Sequence, residues 1–526
     1  MTTDDSRVTI TRRRFLQGCA MAGVTAATLP LSQVVWAAKG KVLRVRSYAD
    51  LDALDPGFYQ NAYNVDVMNC IYSKLVSYVP GHKWKWQLQA AESIKQVDPI
   101  HIRFKLRPGI VFTGGFGEMT ADDVKYSFER VVKLNSPVKG DWGPLEHVAV
   151  EGKYDGVIVL KEPFAPLWNI ALPYGAGCIV SKKAVEAAGG GNFGMKPPCF
   201  SGPYILKKWE PKQVTILTRN PHWKGPKPGF DEIRIIPMDD EKTAEVGYEA
   251  GDLDFTNVAL SDYGHYRKKK PADTTLVKYP SLYYVWLGMN QDNPELKDIN
   301  VRRAVQWAVN VPQLLDAAYF GQADPATGLI APGLVGHRDK SLIPPAGNLD
   351  KARRFLKKAG VKNLSLRLDV LNASKWTTMG QVIQANLAEA GIKVEINLQD
   401  SGSFWTLGME KKGDRWKKVQ LVLNRFSMAP DPYYATEWFT CEQVGKWNWE
   451  RFCSQEFDRL NTEATRETDP GKRAQMYHKM QDLMEQSGCY RFITHEATPI
   501  MYRTSLMKPG LRPDGRPLFR YFKAGA

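Results

Sequence analysis

Between Leu364 and Arg425 the chain changes hydrophobic period twice. LSLRLDVL alternates with period two, TTMGQVIQANLAEAG has helical spacing, and IKVEINL alternates again. Gly391 is placed to close the helix. Strand, helix and strand in so few residues leave one arrangement, a parallel pair joined by a right-handed crossover. A further apolar strand, VQLVLN at 419–424, follows a connection that holds Trp405 and Trp416. Open α/β sheets bind ligands beyond the carboxyl ends of their strands. Asn424, Arg425, Phe426 and Met428 are therefore expected at a crevice.

The N-terminus carries a different signal. TRRRFLQG at 11–18 resembles the twin-arginine export address, which a receptor reads. The uncharged, mildly apolar stretch Gly18 to Val35 runs into VWAA, with Val35 and Ala37 placed for signal-peptidase cleavage. Residues 1–37 are read as a twin-arginine signal peptide, so the mature chain starts at Ala38 in the periplasm. Removing 37 residues from 526 leaves 489, enough for two or three domains. No later apolar run is long enough to span a bilayer. The leader holds four Arg against two Asp, so the formal charge of +15 falls to +13 in the mature chain. These charges are scattered rather than blocked, which fits a basic soluble surface better than a nucleic-acid partner.

Six cysteines remain after cleavage and none forms a CxxC pair. In an oxidising compartment the two nearest pairs, Cys178 with Cys199 and Cys441 with Cys453, are the expected disulfides, each bracketing a loop rich in Gly, Pro or Trp. Cys70 and Cys489 read as buried small hydrophobes.

Catalytic and cofactor motifs are not found. The eight histidines are scattered, and HEATP at 495–499 lacks the two-His helical turn of zinc hydrolases. GGGNFG at 189–194 matches G-x-G-x-x-G, but it follows the helical stretch SKKAVEAA rather than a strand, so it reads as a helix C-cap and loop. No G-x-S-x-G elbow occurs. The expectation is a protein that is not an enzyme and holds neither cofactor nor metal; a secreted hydrolase is the alternative.

Several stretches, in order, resemble the family 5 extracellular solute-binding proteins of ABC importers, the oligopeptide, dipeptide and nickel group. They are ALDP at 53–56, AESIKQVDPIHIRFKLRPGIVFTGGFGEMTADDVKYSFERV at 91–131, SGPY at 201–204, RNPHW at 219–223, GDLDF at 251–255, MNQDNPELKDINVRRAVQWAV at 289–309 and APDP at 429–432. In the longest, Thr120 and Asp123 stand in capping-box positions. The resemblance implies an α/β, two-lobed periplasmic binding protein with a third, inserted domain and a ligand cleft between the lobes. Lobe I is placed in 38–82, 200–290 and 497–526, the inserted domain in 83–199, and lobe II in 291–496. It also implies a monomer that delivers a small peptide-like or carboxylated solute to an ABC permease by hinge closure.

Peptide-binding members of that family use W-x-x-D shortly before a D-P turn, the Asp pairing with the peptide's α-ammonium. The equivalent stretch here is NRFSMAPDP at 424–432, with Arg425 at the Trp position and Met428 at the Asp position. An arginine fork suits a carboxylate or phosphate, so the expected solute is anionic or neutral and amphipathic. The alternative has Arg425 paired with a neighbouring acid such as Asp400 and Met428 packed in the core. Tyr59 matches a position that faces the cleft in the nickel-binding branch. Trp405 and Phe426 flank the strand ends and complete the candidate binding residues.

Overall fold

The computed structural model describes residues 41–525; the signal-peptide reading of 1–37 and the cleavage point at Ala38 lie outside them. The βαβ expectation holds. Strand Ser365–Leu371 leads through helix Ser374–Glu389 to strand Lys393–Gln399, which pairs parallel with it from Ser365↔Lys393 to Leu371↔Gln399. Strand Leu421–Ser427 pairs parallel on the other side of Ser365–Leu371. It runs three residues past the expected end at Asn424, because Tyr283–Met289 pairs antiparallel along its whole length, to Tyr283↔Ser427. With Tyr490–Thr494 these strands complete a five-stranded sheet.

A seven-stranded sheet forms the second large layer, in the order Tyr204–Glu210, Val214–Arg219, Glu232–Pro237, Val42–Ser47, Phe255–Asn257, Ala497–Arg503 and Thr274–Pro280. A four-stranded antiparallel sheet of Ala91–Asp98, His101–Leu106, Asp155–Leu160 and Leu145–Val150 is inserted in sequence between its strands. The inserted segment shares one apolar core with the seven-stranded sheet, through Phe104, Phe128 and Trp142 on one side and Leu43, Ile233 and Phe522 on the other. The five-stranded sheet has cores of its own.

The chain passes between the two large sheets twice, after Pro280 and after Thr494. The first passage comes earlier than the boundary expected at 290/291, since Tyr283–Met289 belongs to the five-stranded sheet. The two passages lie side by side, the Ser281 hydroxyl donating to the His495 carbonyl at 2.7 Å. Glu496, in the second, takes a left-handed φ of 56°.

The recurring motifs turn out to be hydrogen-bonding devices. Asp55 of ALDP receives both terminal nitrogens of Arg130, from helix Ala121–Lys133, at 2.7 and 2.9 Å. Thr120 and Asp123 form the expected capping box of that helix. The glycine run at 189–194 follows helix Lys182–Ala187, with Gly189 and Gly190 at positive φ, and wraps the same ion pair: Gly191 accepts from Arg130 and the Phe193 N–H donates to Asp55. Asp431 of APDP is held in the same way by Arg473, at 2.7 and 2.8 Å.

Candidate ligand-binding site

Arg425 and Phe426 stand on opposite faces near the end of strand Leu421–Ser427, because successive strand residues alternate. The Arg425 guanidinium lies 3.6 Å from the centroid of the half-exposed Tyr283 ring, a stacked cation–π contact. Its Nε donates to Glu496 at 3.0 Å, so the acid it pairs with is Glu496 and not Asp400, which instead caps the turn Ser401–Phe404. Glu496 also accepts from Lys375 at 2.7 Å and from the Tyr319 hydroxyl at 3.0 Å. Burial pushes the Glu496 carboxyl up, but the charges of Arg425 and Lys375 outweigh it and hold it below the usual range. Two cations share one anion. The terminal guanidinium nitrogens meet no acceptor among the described residues.

Trp405 sits against both faces of this strand end. It lines a narrow crevice with Leu371, Trp376, Phe404, Leu423 and Arg425, and its ring lies 6.4 Å from Phe426. Phe426 in turn meets Trp438 and Trp447 nearly edge-on, at 6.4 and 5.9 Å. Met428 is 6% exposed and packs in the core with Tyr284 and Trp286, as the alternative reading had it. Asn424 is buried, its Nδ2 without a partner among the described residues and its side-chain oxygen taken by the Arg425 N–H. Tyr59 comes just before helix Ala62–Ile71. It is buried, its ring packs where a Cβ on Gly175 would fall, and its hydroxyl donates to Asp141 at 3.1 Å. The reading of the residues thus brought Trp405, Arg425 and Phe426 together. It missed Glu496, Tyr283 and Lys375, whose only signal was a charge or ring at the end of an apolar strand or helix.

Cys441 and Cys453 are joined in a disulfide that closes the loop carrying Trp447 and Glu450. Cys178 and Cys199 are not bonded: both are buried thiols, and burial pushes each up to about 11. Their segments are engaged elsewhere, Cys178 in a ladder with Lys74 and Cys199 beside the Ser181 backbone. Cys70 and Cys489 are buried thiols as well.

Glu450 occupies the space that a Cβ on Gly288 would fill, and accepts from the Trp286 indole at 2.7 Å. Its second oxygen has no partner among the described residues, and burial pushes the carboxyl up to about 7 from an ordinary 4.5. A raised folded-state pKa means that the folded chain holds the proton more tightly than the unfolded one. Stability from this group is therefore fully present below about pH 4.5 and is lost as pH rises towards 7. Glu450→Gln, which keeps the acceptor for Trp286 and carries no charge, is expected to flatten this part of the profile. It should gain up to about 3 kcal/mol over wild type at pH 8 and little at pH 4.5 in urea unfolding. An equal change at both pH values would count against a buried, neutral Glu450.

Two α/β layers with separate cores, joined by two adjacent passages, have the architecture of a two-lobed solute-binding protein. The family description "Bacterial extracellular solute-binding proteins, family 5 Middle" matches residues 85–446, and the chain belongs to that family, the solute-capturing components of ABC importers. Over 491 residues it is 26% identical to the probable D,D-dipeptide-binding periplasmic protein DdpA of Escherichia coli (strain K12), covering 90% of this chain and 92% of that one. It is 25% identical over 474 residues to the glutathione-binding protein GsiB of Shigella flexneri serotype 5b (strain 8401), covering 88% and 90%. Its fold matches the oligopeptide-binding protein AppA of Bacillus subtilis, solved with a nonapeptide, at TM-score 0.72 and 22% identity over 92% of this chain and 99% of that one. The hydrolase alternative finds no support in these likenesses.

Proposed function

We propose that the chain is exported by the twin-arginine route, acts as a monomer in the periplasm without catalysing a reaction, and captures a small carboxylate-bearing, peptide-like solute for an ABC permease. The observation that carries the ligand class is Arg425: Glu496 orients it, Tyr283 supports it, and its two terminal nitrogens remain for a planar anion. The D,D-dipeptides and glutathione named for the relatives are peptides with free carboxylates. Trp405 and Phe426 offer rigid apolar walls beside that fork, Asn424 backs the strand end, and no protein cofactor is required.

The lobes are taken as the two large sheets with their flanking helices, hinged at 281–282 and 495–496. D-alanyl-D-alanine, glutathione and succinate are the first solutes to try. One that raises the melting midpoint of the mature protein is expected also to shrink its radius of gyration in small-angle scattering. An unchanged profile at saturation would argue against hinge closure. Export is tested separately. Replacing Arg12 and Arg13 by Lys should leave full-length precursor in the cytoplasm, and normal accumulation of the mature form would exclude the twin-arginine route.

A further inference from the structure

Helix Leu349–Ala359, LDKARRFLKKA, carries five cations against one acid, Asp350. It lies beside helix Ile299–Ala308 and packs on the core of the five-stranded sheet's lobe through Ala352, Phe355 and Leu356. Between the two helices opens a cavity of about 350 Å³, lined by Trp307, Phe355, Lys351, Arg354 and Lys358. Spacings of three, four and seven residues put Lys351, Arg354, Phe355 and Lys358 on one face of their helix. The three cations are exposed and the two rings half-buried, so charge rims an aromatic floor. The Lys351 ammonium lies 4.1 Å from the centroid of the Trp307 ring, and the Arg303 guanidinium 5.9 Å from that of Phe355.

Of the helix's five cations only Arg353 meets an acid, Asp350 at 4.0 Å, and it also donates to the Glu389 carbonyl at 2.9 Å. Lys351, Arg354, Lys357 and Lys358 pair with no carboxylate among the described residues. The helix's own field accounts for part of this. Lys357 and Lys358 stand in the last turn, where the dipole favours cations, but Lys351 stands in the first, where it does not. Like charges three and four residues apart also repel. A run of cations along an amphipathic helix is the arrangement that draws the phosphates of an anionic bilayer. Lysine and arginine stems can lie on the rings with their heads in the headgroup layer, the level at which indoles also settle. The concavity favours lipid over an acidic protein surface, because a single phosphoglycerol headgroup can enter it. A solute-capturing component of an ABC importer, moreover, works against a bilayer.

We propose that the face formed by Lys351, Arg354 and Lys358 around Trp307 and Phe355 docks on anionic phospholipid at the outer surface of the inner membrane. Its lining comes from one lobe and shares no residue with the Arg425 crevice, so docking does not depend on which solute is bound. A protein held in this way meets its permease by diffusion over a surface rather than through a volume, and the field that holds it is weakened by salt.

The test is flotation of the mature protein, without solute, on vesicles of phosphatidylcholine alone or mixed equally with phosphatidylglycerol. At low salt, about 0.05 M, the mixed vesicles should bind at least about tenfold more tightly than the neutral ones, and about 0.5 M salt should remove most of the difference. Lys351→Gln/Arg354→Gln/Lys358→Gln should weaken binding roughly 30-fold or more with an unchanged melting midpoint, and Arg354→Gln alone by several-fold. Lys411→Gln/Lys412→Gln/Lys418→Gln takes the same charge from another exposed stretch and should weaken it less than about threefold. Equal losses in the two triple variants would make net charge the cause and overturn the proposal. Failure of the wild type to bind the mixed vesicles overturns it too. So does capture of a poly-glutamate peptide by these three residues while vesicles are ignored, which would assign the face to an acidic protein. Arg425→Ala should float as wild type does; a loss there would put the lipid contact in the cleft and overturn the proposal, whereas retention leaves the solute reading to its own titration.

Discussion

Replacing Asp431 by alanine is expected to cost about 3–5 kcal/mol of unfolding free energy, a large part of the stability of a protein of this kind. Asp431 is fully buried and Arg473 is 5% exposed, joined by two hydrogen bonds. Arg473 also donates to the Ala464 carbonyl and meets the Tyr477 hydroxyl, so it cannot swing to water when its partner is lost. The alanine variant would leave a guanidinium charge in the core between helices Gln455–Arg466 and Pro470–Gln486. Asn169 of the inserted segment donates to the same carboxylate at 3.2 Å, so one contact between the lobes goes with it. Urea unfolding followed by tryptophan fluorescence measures the loss, with Asp350→Ala as a control, since that carboxylate is 81% exposed and should change stability by less than about 0.5 kcal/mol. A loss under 1 kcal/mol for Asp431→Ala would mean that the core relaxes around Arg473 in a way the packing does not suggest.

Arg425→Ala is expected to weaken binding of a carboxylate solute by about 2–5 kcal/mol, or roughly 30-fold or more, while barely changing the unfolding free energy. The structure gives a reason for the separation. Glu496 loses one partner but keeps Lys375 and the Tyr319 hydroxyl, so no carboxylate is stranded. Arg425 is a third exposed, unlike Arg473. Calorimetry beside thermal unfolding reads both quantities, and unchanged affinity for a carboxylate that binds wild type would remove Arg425 from the site. Met428→Asp is a poorer probe than its motif position suggests. Its side chain is core, so the new carboxylate would be buried without a partner and would cost stability as well as altering preference.

Segments marked by local periodicity take the structure that their period implies. The crossover unit at 365–399 is a matter of which residues alternate and which repeat every third or fourth place, and neighbouring atoms enforce both. The capping box of Thr120 and Asp123 is likewise a contact across three residues. The end of strand Leu421–Ser427 was misjudged for a non-local reason: its last residues are polar, and only pairing with Tyr283–Met289 keeps them extended. The pairing of Cys178 with Cys199 failed similarly, since closeness along the chain says little about where two thiols are held.

The sequence by itself determined the α/β class, the family, the crossover unit at 365–399 and the D-P turns at Asp55 and Asp431. Each of these is written in short stretches, where period, turn chemistry and a motif of a few residues suffice. Only the tertiary structure decided what those charges meet. Glu496 lies 71 residues from Arg425, and Tyr434 lies 293 residues from Asp141. Pairs at such separations are set by how the sheets stack and where the chain passes between them, and a charge in sequence looks the same whether its partner is a buried arginine, water or a bound solute.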